Sequence, residues 1–164
     1  MTPARNLLVA LAAGGLLALS ALPVPAAEID CAAIRAVYAR LIKTPAYRVV
    51  STHRAVNKVW EDVYIGNTRY SRRDGPWEKQ ELDPAERAKR VAAPQFSECR
   101  DDGEQTEGGV SMHAYSLLAR LPQARNGPGM QVRIWLDAPE GRILRFESQL
   151  LRLDYSYDNI GPPM

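Results

Sequence analysis

The 164-residue sequence has few of the residues from which metal and catalytic sites are built. It contains two histidines and two cysteines, and neither pair has the spacing of a zinc motif or of a C-x-x-C redox motif. The nucleophile elbow G-x-S-x-G and a glycine-rich phosphate loop are also missing. We therefore expect a protein that is not an enzyme and that has no cofactor and no metal site.

The two histidines, His53 and His113, both fall within predicted strands. A Ser-His-Asp triad would have to use one of them, and no local motif supports it. Both are interpreted as edge or surface residues. The alternative for His53 is a hydrogen bond to the polar head of a ligand.

Neither sign of charge dominates, with 21 basic and 19 acidic residues and a net charge of +2. This balance argues against nucleic acid as a partner. Basic and aromatic residues occur together in YIGNTRYSRRDGPWEK, residues 64–79, which contains Arg69, Arg72 and Arg73. Acidic residues are interleaved with these arginines, which favours a solvated strand face over an aromatic and basic binding site.

An acidic cluster invites a calcium interpretation. Its members are Glu98, Asp101, Asp102, Glu104 and Glu107. Their spacing does not match the ligand positions of an EF-hand loop. We interpret the segment as a solvated loop, with a short strand around residues 104–106 as an additional feature.

The first segment has the pattern of a secretory signal peptide. Arg5 precedes an apolar run over residues 7–22, and the small or apolar residues Val24 and Ala26 suit the −3 and −1 positions of a cleavage site. The expected domains are the signal peptide, 1–26, and a single folded domain, 27–164, with cleavage after Ala26 or Ala27. The mature protein is then periplasmic and does not span the membrane.

Export would place the two cysteines in an oxidising compartment, where disulfides form. An even number of cysteines in an oxidising compartment predicts one disulfide, between Cys31 and Cys99. Two free thiols, or a thiol pair on a metal, are the alternatives. The residues before Cys31 are acidic, which does not fit a lipoprotein cleavage site, so we expect an unlipidated protein.

Hydrophobic periodicity predicts a helix followed mainly by strands. Apolar residues recur at helical spacing over 34–42, and Thr44-Pro45 ends that helix. Alternation then predicts strands, with a tight turn at Gly66-Asn67. Asp83 caps a second helix that extends to about residue 93. Further strands follow over residues 110–121, 131–137, 142–148 and 150–158.

Several segments together resemble the LolA/LppX-like group of exported bacterial proteins, which have the lipoprotein-carrier fold. The segments are YRVVSTHR, EDVYIGNTRYSRRDGPWEK, GGVSMHAYSL, VRIWLDAPEGRILRFES and LDYSYDNIGPP. The resemblance covers residues 28–163. It implies an α+β fold: a strongly curved antiparallel sheet that does not close (a half-barrel), with an N-terminal helix and a short second helix covering the concave face. We expect about seven to eight strands.

The resemblance also implies that the concave face binds an acyl chain or another apolar ligand. Apolar residues on the predicted strands could line such a site, although the same residue types would also fill a plain core. The candidate ligand-binding residues are Tyr47, Val49, Trp60, Tyr64, Tyr70, Trp77, Tyr115, Leu117, Ile134 and Leu144.

The expected function is that of a soluble periplasmic protein that binds a lipid, an acyl chain or a lipopeptide. The alternative is a module of the same fold that binds an envelope protein and carries no lipid. Fold alone does not decide between them.

Overall fold

The structure is a computed structural model that describes residues 27–90, 94–120, 129–137 and 140–163. The predicted signal peptide and the end predicted for the second helix lie outside these ranges. The described helices are α1, Ala32–Lys43, and α2, Pro84–Arg90. The strands are β1 Ala27–Glu28, β2 Ala46–His53, β3 Lys58–Ile65, β4 Thr68–Arg72, β5 Glu78–Glu81, β6 Gln95–Glu107, β7 Val110–Arg120, β8 Met130–Asp137, β9 Ile143–Ser148 and β10 Leu151–Ser156.

All ten described strands form one sheet in the order β1-β6-β7-β8-β9-β10-β2-β3-β4-β5. Every pairing is antiparallel, and β10 returns to pair with β2. The edge strands β1 and β5 stand at opposite ends of this order and are not paired with each other, so the described sheet is not closed into a barrel. This confirms the α+β fold, with a higher strand count than expected because β1, β5 and the first half of β6 were not predicted.

Helix α1 has four apolar residues at helical spacing, which places them on one side of the helix. These residues are all buried: Ile34, Val37, Tyr38 and Leu41. The Asp30 carboxylate accepts a hydrogen bond from the Ala32 N–H at 2.8 Å and so satisfies one free donor at the start of the helix. Thr44 then adopts an extended conformation before Pro45, where the helix ends.

The sheet bends around α1. One buried cluster joins α1 to Tyr64 of β3 and Phe96 of β6, which are six strand positions apart. In a flat sheet these two strands would lie about 29 Å apart, whereas a 12-residue helix is about 18 Å long. The sheet therefore has to curve for both residues to reach the same cluster. The face that carries this cluster is called the covered face below.

Helix α2 lies at the carboxyl end of α1. The Asp83 carboxylate accepts a hydrogen bond from the Glu86 N–H at 2.8 Å, which is the expected cap. Buried Arg87 donates to the Thr44 carbonyl oxygen at 2.6 Å and so joins the two helices.

The predicted disulfide between Cys31 and Cys99 is present, with the two Cα atoms 5.5 Å apart. It joins the start of α1 to β6, and both cysteines belong to the main buried cluster. It therefore ties one side of the sheet to the helix that covers it. Over the described ranges, the structure has no helix that is long and apolar enough to cross a membrane.

Candidate functional site

A cavity of about 260 Å³ lies on the covered face, between the helices and the strands on one side of the sheet. Tyr38 and Leu41 of α1 form its roof. Arg90, at the end of α2, and Pro94, just before β6, border it. The cavity therefore lies where the two helices meet the sheet.

Strands β2 and β3 form one wall. Their register places Tyr47 opposite Tyr64 and Val49 opposite Asp62. Directly opposed residues in an antiparallel pair point to the same face, and alternation brings Ser51 to that face as well. All five side chains line the cavity.

Strands β9 and β10 form the second wall. Leu153 lies opposite Phe146 in one direction and opposite Ser51 in the other. Leu151 and Tyr155 follow on the same face, and all of these residues line the cavity. The result is a cavity with mainly apolar and aromatic walls, which is typical of sites for small apolar ligands.

Tyr47 lies at the centre of the aromatic wall and is only 1% exposed. Its hydroxyl group has no hydrogen-bond partner among the described residues. Burial raises its pKa, and the neighbouring hydroxyls of Tyr64 and Tyr155 raise it further. Tyr47 therefore stays neutral at physiological pH and presents an unpaired hydroxyl in an apolar setting.

Asp62 is the one carboxylate among the described residues that line the cavity, and it is 9% exposed. Arg69 donates to it from Nη2 at 2.7 Å and from Nε at 2.9 Å. Arg73 contacts the same carboxylate at 3.3 Å. The Arg69 side chain is only 13% exposed, so the expectation of a solvated face for the arginines is wrong at this position.

The structure brings three of the ten candidate residues to the cavity, namely Tyr47, Val49 and Tyr64. Leu117 and Ile134 point to the covered face but are fully buried in the core away from the cavity.

Two more candidates lie near the covered face without reaching the cavity. Tyr115 is half-buried beside the core and stacks on His113 at 4.9 Å. Trp60 shares a face with Tyr64 but lies outside the cavity, between His53 and Arg73.

The remaining three candidates are on the opposite face, and their expected placement on the covered face is wrong. Tyr70 pairs with Val63, one residue from Tyr64, so alternation turns it to the other side. The ring of Trp77 lies against Arg72 on that side. Leu144 packs against the separate small cluster of Met112, Ala114 and Trp135.

Sequence reasoning missed Asp62, although alternation could have found it. Residues 60, 62 and 64 share one face of β3, so an assignment of Tyr64 to the cavity implies the same for Asp62. Phe146, Leu153 and Tyr155 carried no comparable signal, because their position depends on β10 pairing with β2 across a separation of about one hundred residues.

The opposite face carries a ladder of ion pairs. Arg48 and Arg72 both contact Glu61, the latter at 2.7 Å. Arg145 and Arg152 both contact Asp154, at 2.9 Å and 2.7 Å. Most of these arginines are partly exposed, so this face agrees with the expected solvated surface.

The histidines lie far apart. His53 is on β2 and His113 is on β7, four strand positions away, or about 19 Å along the sheet. His53 packs on Trp60 with ring centroids 3.8 Å apart, and His113 contacts Asp101 at 2.5 Å.

The acidic segment is part of β6 and not a loop, which corrects that expectation. Asp102 accepts hydrogen bonds from Ser116 and Arg133, and Glu107 contacts Arg145. Across the described ranges, no group of three or more acidic, histidine or cysteine side chains could hold a metal ion.

The fold and the cavity define a class: an open antiparallel sheet, covered by helices on one face, with an apolar cavity under the helices. No protein-family model and no curated protein matches the sequence. Among solved structures, the chain is similar to LprF from Mycobacterium bovis, with 14% identity over 84% of this chain and 97% of that chain and a TM-score of 0.46.

It is also similar to the Mycobacterium tuberculosis lipoprotein LppX, with 10% identity over 79% of this chain and 96% of that chain and a TM-score of 0.48. Both TM-scores lie below 0.5. The ligand and the role have to be inferred from the geometry of this chain.

Proposed function

We propose that this chain is a soluble periplasmic binding protein that holds a lipid, an acyl chain or a lipopeptide in its apolar cavity. The observation that carries the proposal is the cavity of about 260 Å³ on the covered face. Residues that are far apart in the sequence build it, and most of the lining is aliphatic or aromatic. Such a lining suits an apolar chain better than a polar metabolite.

The energetics of this binding need few specific residues. Each CH₂ group that moves from water into an apolar site contributes about 0.8 kcal/mol. A chain of several CH₂ groups can therefore be held by shape and burial. This would account for a sequence without a sharp functional motif.

Two features favour export and a binding role. The Cys31–Cys99 disulfide is typical of proteins from oxidising compartments, which supports the periplasm. Neither His53 nor His113 lines the cavity, so neither is placed there as the base of a Ser-His-Asp triad, which favours binding over hydrolysis.

The direct test is native mass spectrometry of protein purified from the periplasm of its own source. We expect a bound apolar molecule that solvent extraction releases, and uptake of a fluorescent fatty acid by the emptied protein. Protein that carries no lipid and takes up no fatty acid would refute the proposal. The envelope interaction module would then be the better candidate, to be sought by crosslinking in envelope extracts.

A cavity-filling variant tests the location of the site. Val49 lines the cavity, so Val49→Phe should place a ring in the space of the ligand and abolish uptake while the fold is kept. The control is Val59→Phe, because Val59 lies on the neighbouring strand and is 58% exposed. Equal uptake by the two variants would place the ligand elsewhere.

A further inference from the structure

Charged side chains lie at one edge of the cavity, and their charges do not balance. Asp62 and Arg90 line the cavity, and Arg69 and Arg73 contact Asp62 without lining the cavity themselves. Arg90 contacts Glu86 one helical turn earlier in α2. Three guanidinium groups therefore face two carboxylates, which leaves one positive charge uncompensated among these side chains.

The arginines also have unused donors. Each guanidinium carries five N–H groups. Arg90 directs Nε and Nη2 to Glu86, and Arg73 directs Nη1 and Nη2 to Asp62 at the long distances of 3.3–3.4 Å. The remaining N–H groups can donate to an additional anion without any loss of the contacts to Asp62 and Glu86.

The electrostatic environment of Tyr64 shows how close this cationic group lies to the cavity. Burial raises the pKa of Tyr64, and Asp62 raises it further, whereas Arg69, Arg90 and Arg73 lower it. The three arginines thus act together on a hydroxyl group that lines the cavity. The positive charge is at the edge of the apolar space.

The sequence neighbours Arg72 and Arg73 show that this arrangement is specific to the covered face. Arg72 points to the opposite face and contacts Glu61, which also contacts Arg48. Arg73 lies over the ring of Trp60 and contacts Asp62 beside the cavity. Strand alternation therefore brings only the second of the two arginines to the face that carries the cavity.

We propose that the cavity selects an anionic amphiphile, with its chain on the apolar walls and its carboxylate or phosphate head bound by Arg73 and Arg90. This inference rests on the proposed function and names the ligand class for the same site. A charge-assisted hydrogen bond from a guanidinium is about twice as strong as a neutral one, so the head group should decide which amphiphiles bind well. Neutral or cationic amphiphiles with the same chain would leave the positive charge unpaired.

The experiment compares amphiphiles that share one chain and differ in the head group. Dodecanoate, dodecyl phosphate, dodecanol and dodecyltrimethylammonium each displace a neutral fluorescent probe, N-phenylnaphthylamine, from delipidated full-length protein. We expect Kd values at least about tenfold lower for the better of the two anions than for dodecanol. The cationic amphiphile should bind more weakly than dodecanol, and the ratio of the two anions identifies carboxylate or phosphate as the preferred head.

The test variant is Arg73→Gln with Arg90→Gln, which keeps the Arg69–Asp62 ion pair. It should raise the Kd of the preferred anion about tenfold and leave that of dodecanol unchanged. The matched control is Arg72→Gln with Lys89→Gln, which removes the same charge from the opposite face and from an exposed position of α2. The control should leave both affinities unchanged.

Salt provides a second measurement on the unmodified protein. Because salt screens partly exposed charges, the Kd of the anion should rise with ionic strength while that of dodecanol does not. If dodecanol binds as tightly as the anions and neither salt nor the test variant changes this, the head-group proposal is wrong but the proposed function stands. If none of the amphiphiles displaces the probe, the proposed function itself fails.

Discussion

The rings of Tyr47 and Tyr64 stack with their centroids 4.8 Å apart and their planes 18° from parallel. The two residues are directly opposed in the β2–β3 register, so the contact is set by the hairpin that turns at residues 54–57. It forms the aromatic wall of the cavity and brings the unpaired Tyr47 hydroxyl into an apolar environment.

The Tyr47 hydroxyl leads to the first prediction. A buried polar group without a partner costs free energy. Tyr47→Phe removes this cost and should raise the free energy of unfolding of the empty protein by up to about 1 kcal/mol. Urea denaturation followed by fluorescence measures this. The control is Tyr157→Phe, which should lose about 1 kcal/mol because the Tyr157 hydroxyl donates to the Ile143 carbonyl oxygen at 2.7 Å. A large loss in Tyr47→Phe would show that this hydroxyl does have a partner.

The second prediction concerns the disulfide. Cys31 and Cys99 are separated by 68 positions, and a cross-link over that distance constrains the unfolded chain by about 4 kcal/mol on the entropy model. Replacement of both cysteines by alanine should lower the free energy of unfolding by an amount of this order. Intact mass should rise by two hydrogens on reduction, and alkylation of the native, unreduced protein would contradict the bond.

The third prediction compares the carboxylates of Asp62 and Glu61. Asp62→Asn leaves the guanidinium of Arg69, with only 13% of its side chain exposed, without its ion-pair partner, and should cost about 3 kcal/mol. Glu61→Gln should cost less, because Arg48 and Arg72 are nearly half exposed and can be hydrated. Urea denaturation of the two variants measures the difference, and an equal or larger loss in Glu61→Gln would contradict the placement of Arg69.

The fourth prediction is a pH dependence. Burial by itself would raise the pKa of Asp154, but hydrogen bonds from Arg152 and Arg145 outweigh it and hold that pKa below its ordinary value. A lowered folded-state pKa adds stability that is present above the unfolded-state pKa of about 3.9 and is lost as the pH falls below it.

Asp154→Asn removes this titration. The variant should be less stable than the wild type at neutral pH, and the difference should shrink as the pH falls from about 5 to 2. Urea midpoints at a series of pH values measure it. A stability difference that does not change with pH would show that Asp154 does not titrate as argued.

The elements with strong local patterns could be predicted from the sequence. The apolar stripe of α1, the turn at Gly66-Asn67 and the cap at Asp83 each depend on neighbours a few residues away. The first half of the strand β6 was missed for a specific reason. The register shifts between Ser97 and Arg100, and Glu98 adopts a positive φ of 53°, so Phe96 and Cys99 both face the core although they are three positions apart. The bulge hides the alternation that would have revealed the strand.

The sequence by itself determined the local elements, the pairing of the two cysteines, and which residues share one face of each strand. Only the tertiary structure decided which of these residues form the cavity. Period two assigns side chains to two faces of a strand, but it does not tell which face is covered or which strands become neighbours. The pairing of β10 with β2 and the packing of α1 on one face decide this, because they bring Tyr47, Asp62 and Leu153 together at the cavity and leave Tyr70 on the opposite face.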